Sequence, residues 1–227
     1  MTTIYEPRGK AKEYGDYAIN IYTGCPHECF YCYSPQVLHK SKDAFHGDVR
    51  PRPGIVEATK AALERNGLTD RLVHLCFTCD PYPTGYDSSA TREIIKLLKE
   101  TGNHVQILTK GDGRRDFDLL DENDWYGITI DGQRDYTGYM PKLNTLQKAR
   151  MFGINTWVSF EPVLNAENVL NIIRMFHADF NRVKIGKLNY YPSDINWKAF
   201  GWSAEQLCKS LGLDYYIKES LRKEMES

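Results

Sequence analysis

Three of the six cysteines fall within eight residues, in the run Gly24-Cys25-Pro-His27-Glu-Cys29-Phe-Tyr31-Cys32-Tyr33. A loop that presents thiols at C-x3-C-x2-C spacing is a metal site by type. Soft thiolates suit iron–sulfur chemistry, and three of them can hold three irons of a 4Fe–4S cube while the fourth stays open to a ligand from outside the protein. An open coordination position usually marks a catalytic metal. Zinc is the competing reading, held by Cys25, Cys29 and Cys32 with His27, or with Cys76 or Cys79. Structural zinc normally joins one C-x2-C pair to a second, a symmetry this spacing lacks. Incidental core cysteines would not be spaced this way, and a redox thiol motif would be C-x-x-C in a thioredoxin-like setting. The N-terminal stretch carries no apolar run of the secretory kind, so a disulfide framework is not expected.

Further polar residues recur where short β-rich runs end. Thr78, Cys79 and Asp80 follow one such run, Lys110 closes Leu108-Thr-Lys110, Glu161 lies in Ser159-Phe-Glu161-Pro162, and Gly186 lies in Lys184-Ile-Gly186-Lys. Thr78 and Asp80 can accept hydrogen bonds from an ammonium group, although an Asp before Pro81 is also a common turn residue. Lys110 could hold a carboxylate or simply be solvated, Glu161 could accept from hydroxyls or cap the following helix, and Tyr31 could pack beneath the loop.

The elements that must position these residues alternate in type. Strands are expected over 18–22, 72–77, 104–109, 126–130, 155–160 and 182–186, with a last short one at 215–217. Helices are expected over 54–66, from Asp87 or Ser88 to about 100, over 142–152 and 166–178, and over 203–211 with Ser203 as its cap; a short one covers 115–120 and a charged one closes the chain. Strand–helix units of about 33 residues each are the length of a βαβ repeat and imply a parallel sheet with helices outside. No linker or composition shift divides the chain, so 1–227 reads as a single α/β domain, with an N-terminal segment over 1–16 and a helix or tail over 218–227. It is either an incomplete parallel barrel or a doubly wound open sheet, and both collect chemistry at the C-terminal ends of their strands.

The C-x3-C-x2-C loop after the first strand, with an aromatic before its last cysteine, resembles the radical S-adenosylmethionine superfamily. Asn20-Ile-Tyr-Thr-Gly-Cys25, Tyr31-Cys32-Tyr33, Asp80-Pro-Tyr82 and Leu108-Thr-Lys110 are similar to its spore photoproduct lyase-like branch. The resemblance implies a partial (β/α)6 barrel over essentially the whole chain. It implies two cofactors, a 4Fe–4S cluster on Cys25, Cys29 and Cys32 and S-adenosylmethionine on the open iron. One-electron cleavage would give a 5′-deoxyadenosyl radical that takes hydrogen from a substrate. On the same resemblance Tyr31 approaches the adenine, Thr78, Cys79 and Asp80 stand where the amino group binds, and Lys110 holds the carboxylate. From the residues themselves, Ser159 and Glu161 are candidates for the ribose hydroxyls and Gly186 for letting backbone approach the adenine, although the superfamily's fuller motif at that last strand is absent. Cys79 is the candidate catalytic hydrogen-atom donor; Cys76 and Cys208 read as core.

Composition bounds the rest. With 41% apolar and 26% charged residues the chain is globular, and its net charge of −1 argues against a partner recognised mainly through a phosphate backbone. No apolar run approaches the roughly 18 residues of a spanning helix. The expected location is the cytoplasm and the expected partner an electron donor such as flavodoxin or ferredoxin, with no membrane. The substrate is a small molecule or peptide, or a DNA lesion for a repair lyase. The alternative to an enzyme is a zinc- or cluster-bearing binding module, in which Asp80, Lys110 and Glu161 would be idle.

Overall fold

A computed structural model describes residues 3–227. The chain forms two compact units, the first ending at Trp125 and the second running from Tyr126 to Ser227.

In the first unit a 3-10 turn (Gly9–Glu13) leads into β1 (Tyr17–Ile19), followed by α1 (Ser34–Val37), α2 (Lys42–Gly47), α3 (Ile55–Asn66), β2 (Leu72–Leu75), α4 (Ser89–Glu100), β3 (His104–Thr109) and a 3-10 stretch (Arg114–Leu119). β1 pairs with β2 and β2 with β3, both parallel, in the registers Ala18↔His74 and Leu75↔Ile107. Parallel strands need a crossover, and α3 and α4 supply them. The inner face of α4 buries Ile94, Ile95 and Leu98 completely, each contributing about 1.5–3 kcal/mol.

The second unit holds β4 (Trp125–Thr129, which begins one residue earlier), α5 (Met140–Met151), β5 (Asn155–Val163), α6 (Ala166–Phe176), β6 (Arg182–Lys187), α7 (Trp197–Ser210), β7 (Asp214–Ile217) and α8 (Glu219–Glu226). Its strands follow chain order, and β5–β6 and β6–β7 are parallel. Val158, Phe160, Val183 and Ile185 form its buried apolar layer. Ser159 pairs with Lys184 and Lys184 with Tyr216, so the other face of these strands is polar.

Among the expected bounds that change, β1 covers Tyr17–Ile19 and not 18–22. β2 stops at Leu75 because Cys76 turns into the left-handed region at φ 69°, which a side chain bearing a Cβ adopts only under local constraint. β5 runs on to Val163 with a register shift between Phe160 and Val163, as a proline inside a strand requires. α7 begins at Trp197, six residues ahead of the expected cap. Asn196 caps it by accepting from the Ala199 N–H at 3.0 Å, and Ser203 lies inside the helix. Among the described residues no helix is long and apolar enough to cross a membrane.

Candidate cluster and cofactor site

The thiol loop leaves β1 along an arm fixed on both sides. The Arg52 N–H donates to Ile21 O at 2.9 Å and the Thr23 N–H to Arg50 O at 3.0 Å. Lys40 Nζ donates to Thr23 O at 3.0 Å, and His46 Nδ1 donates to Cys25 O at 2.7 Å. Gly24 is enclosed by this frame: a Cβ there would lie 2.0 Å from Phe45 O and 2.7 Å from Asp48 O. Gly24→Ala is therefore expected to cost about 1–3 kcal/mol, as overpacking against backbone does, and to lower the urea midpoint. An unchanged midpoint would mean that the arm yields freely.

The loop is tied to the ends of β2 and β3. Lys110 Nζ donates to Tyr31 Oη at 2.6 Å and lies 5.1 Å from the centre of its ring. Tyr33 Oη donates to Phe77 O at 2.7 Å. His27 Nε2 lies 3.1 Å from Asp80 Oδ2, both side chains being mostly buried. Asp80 is the knot of these ties. Its Oδ1 accepts from Thr109 Oγ1 at 2.5 Å and the Tyr82 N–H at 2.8 Å, and its Oδ2 accepts from the Lys110 N–H at 2.8 Å. Asn20 Oδ1 holds the same turn by accepting from the N–H groups of Phe77 and Thr78 at 2.8 and 3.0 Å.

Burial pushes the Cys25 thiol well above its ordinary range, with the nearby Asp80 charge adding, and burial also raises Cys32. Without a cation in place these sulfurs stay protonated; a bound metal reverses that balance and takes them as thiolates. The donor set fits a cluster better than a single ion. Four ligands around one zinc at about 2.3 Å place their sulfurs about 3.8 Å apart. Among the described residues, no three thiol, imidazole or carboxylate ligand atoms that include these sulfurs lie within 4.8 Å of one another. A cube takes one thiolate on each of three irons and spreads them wider. Beside the loop, a cavity of about 550 Å³ lined by Glu28, Cys29, Phe30, Lys42, His46 and Tyr86 opens to solvent.

Thr78 adds a second sign of a ligand. Its Oγ1 is buried and has no hydrogen-bond partner among the described residues, a state that costs about 1–3 kcal/mol unless something fills it. Cys79, half-buried, accepts through Sγ from the Tyr22 N–H at 3.4 Å.

In the second unit, Glu161 and Gly186 meet. A Cβ on Gly186 would lie 3.0 Å from Glu161 Cδ, so the carboxyl group packs across the glycine. Glu161 Oε2 accepts from Lys218 Nζ at 2.7 Å, and Lys218 is only 3% exposed. Ser159 is buried on the same face.

Sequence reading misses Lys218, Asn20 and His46 in these roles and weighs His27 only as a zinc ligand. For Asn20 the signal was present, since it opens the stretch that carries the family resemblance. Lys218 stands alone after a short strand, where nothing local distinguishes it. His104, Asp121 and Asp124 bring ligand atoms within 4.8 Å of one another. Lys99 Nζ already bridges the two carboxylates there, at 2.7 and 2.6 Å, as a built-in cation.

A parallel α/β architecture with a three-thiol loop after its first strand defines an enzyme of radical chemistry. The chain belongs to the radical SAM superfamily, whose family model matches residues 19–186. Its cofactors are those of the superfamily, a 4Fe–4S cluster and S-adenosylmethionine. No curated protein matches the sequence. Among solved structures, a spore photoproduct lyase variant matches with a TM-score of 0.69 at 10% identity, over 94% of this chain and 79% of that one. Spore photoproduct lyase complexed with dinucleoside spore photoproduct matches with 0.67 at 11%, over the same shares. Streptococcus suis SuiB bound to precursor peptide SuiA matches with 0.67 at 10%, over 92% of this chain and 50% of that one. The expected likeness to spore photoproduct lyase is present in the fold, which is that superfamily's α/β partial barrel.

Proposed function

We propose that this chain is a one-electron-driven radical enzyme in which Cys25, Cys29 and Cys32 hold the cluster and the ends of β2 and β3 hold S-adenosylmethionine. When bound, the cofactors supply a 5′-deoxyadenosyl radical that abstracts hydrogen from the substrate. The observation that carries the reading is the tie between the thiol loop and the strand ends through Lys110 Nζ to Tyr31 Oη at 2.6 Å and Tyr33 Oη to Phe77 O at 2.7 Å.

In this reading Thr78 Oγ1 takes the amino group of S-adenosylmethionine and Cys79 walls its pocket. Lys110 turns from Tyr31 Oη to the carboxylate, leaving the Tyr31 ring for the adenine. For Ser159, Glu161 and Gly186, all in the second unit, the ribose and adenine roles rest on residue type alone. Asp80 acts by positioning, since its oxygens accept from Thr109 Oγ1 and the Tyr82 and Lys110 N–H groups. The electron donor is a flavodoxin or ferredoxin of the cytoplasm, and the substrate a small molecule. A lyase acting on a DNA lesion is the second reading, favoured by the fold likeness to spore photoproduct lyase with its dinucleoside bound. The net charge of −1 counts against an extended phosphate-binding surface.

Anaerobic protein reduced with dithionite should release 5′-deoxyadenosine and methionine from S-adenosylmethionine without added substrate. Cluster-loaded protein that releases neither would end the proposal. Lys110→Ala should weaken S-adenosylmethionine binding about 10- to 100-fold, the worth of one charge-assisted hydrogen bond, with iron content unchanged. Unaltered binding would show that Lys110 serves only Tyr31.

A further inference from the structure

Among the described residues, three buried side-chain polar atoms have no hydrogen-bond partner: His27 Nε2, Thr78 Oγ1 and His104 Nδ1. Thr78 has a place in the cofactor reading, and His104 opens β3 at the end of that strand away from the thiol loop. His27 stands inside the loop, between Cys25 and Cys29, and its carbonyl accepts from the Cys29 thiol at 3.8 Å. Its side chain is 14% exposed, and Nε2 lies 3.1 Å from Asp80 Oδ2. An N–H aimed at an oxygen that close would make a hydrogen bond; none forms, so the N–H is directed past the carboxylate. Both Asp80 oxygens already accept, from Thr109 Oγ1 and from the Tyr82 and Lys110 N–H groups. Buried donors without an acceptor are rare in folded proteins, and each one calls for a group that accepts from it.

We propose that His27 Nε2–H donates to a sulfur atom of the iron–sulfur cluster and raises the cluster's reduction potential, an inference resting on the assignment of the cluster to Cys25, Cys29 and Cys32. An imidazole carried between two of the thiols travels with whatever they hold. Hydrogen bonds to the sulfurs are among the factors that set the potential of such clusters. The sign follows from charge. One-electron reduction makes the cluster more negative, so a donated N–H stabilises the reduced state more than the oxidised one. Without the donor the electron is harder to place, and the potential moves down. Asp80 acts in the opposite sense, since its charge is close enough to Cys25 to oppose a thiolate there. In the cofactor reading the carboxylate of S-adenosylmethionine belongs to Lys110, at the end of β3, which leaves the loop-borne imidazole to the cluster itself.

The test does not depend on cofactor turnover. Wild type, His27→Leu, His27→Phe and His27→Gln are loaded with cluster without oxygen. Each is titrated with photoreduced deazaflavin in the absence of S-adenosylmethionine, and the reduced cluster is followed by its electron paramagnetic resonance signal. Leu and Phe fill the space without a donor, the second keeping a ring in case the first packs poorly. Gln returns an N–H on a side chain of similar reach. Iron content is expected to be equal in all four, because the thiols alone ligate. His27→Leu and His27→Phe are expected to titrate at a more negative potential than wild type, and His27→Gln to recover most of the shift. Donorless variants that titrate with wild type would overturn the proposal, as would an equal shift in all three, which is a packing effect. Iron lost from all three would make His27 a ligand, and weaker S-adenosylmethionine binding at an unchanged potential would put the donor on that cofactor; either overturns it. Wild type that takes up no cluster removes the cluster assignment itself, so the two failures are told apart.

Discussion

Cys29→Ala protein, purified and reconstituted without oxygen, is expected to be colourless, to hold iron only at background level, and to release no 5′-deoxyadenosine above a protein-free control. In the proposed reading the cube rests on one thiolate per iron at three corners, and removing the middle of Cys25, Cys29 and Cys32 leaves a dithiol that cannot retain it. Cys76 is buried in its own turn, and Cys79 Sγ is engaged by the Tyr22 N–H at 3.4 Å. The informative comparison is Cys79→Ala, which should keep wild-type iron content, because in the proposed reading that sulfur walls the cofactor pocket and is no ligand. Iron lost from Cys79→Ala would mean that more than the loop thiols hold the metal. Stoichiometric zinc in anaerobically reconstituted wild type would replace the radical reading with a binding module.

The parts of the fold legible in the sequence were those with a strong period and a clear stop. α4 carries Ile94, Ile95 and Leu98 on one face and ends before Gly102, and β3 covers the expected residues 104–109. The errors cluster where a side chain overrides a pattern. Leu75-Cys76-Phe77 reads as strand until the backbone turns at Cys76, and only the Ile19 contact across the sheet reveals why. Ser203, followed by Glu205 and Gln206, resembles a capping box, but Asn196 caps the helix earlier because Phe200 and Ala204 are needed in the core. α1 and α2 are too short to announce themselves by period. Within the candidate site the three loop thiols are singled out by their spacing. The pairings are not: that Lys110 meets Tyr31, His27 meets Asp80 and Lys218 meets Glu161 depends on separations of 79, 53 and 57 residues, which no local pattern encodes.

Asp80→Ala is expected to be the most destabilising substitution in the first unit. The carboxylate is 7% exposed and joins the β2 turn, through the Tyr82 N–H, to β3, through Thr109 Oγ1 and the Lys110 N–H. Hydrogen bonds to a charged group contribute about 1.5–3 kcal/mol each, and donors left buried without an acceptor cost more than the bonds were worth. The expected loss is about 3–5 kcal/mol, comparable to breaking a buried ion pair, and a large share of the 5–15 kcal/mol typical of a folded domain. It would be read as a sharply lower urea midpoint in the metal-free protein. Asp80→Asn separates positioning from direct contact with the cofactor. Its Oδ1 can still accept from Thr109 and Tyr82, but its NH2 group must face the Lys110 N–H, donor against donor. If Asp80 positions the strand ends, Asp80→Asn lowers the urea midpoint, and its weaker S-adenosylmethionine binding follows the disturbed Lys110 backbone. If Asp80 instead binds the ammonium group itself, Asp80→Asn lowers affinity while the midpoint of the metal-free protein stays at the wild-type value. The engagement of both carboxylate oxygens by backbone and hydroxyl donors favours the first outcome.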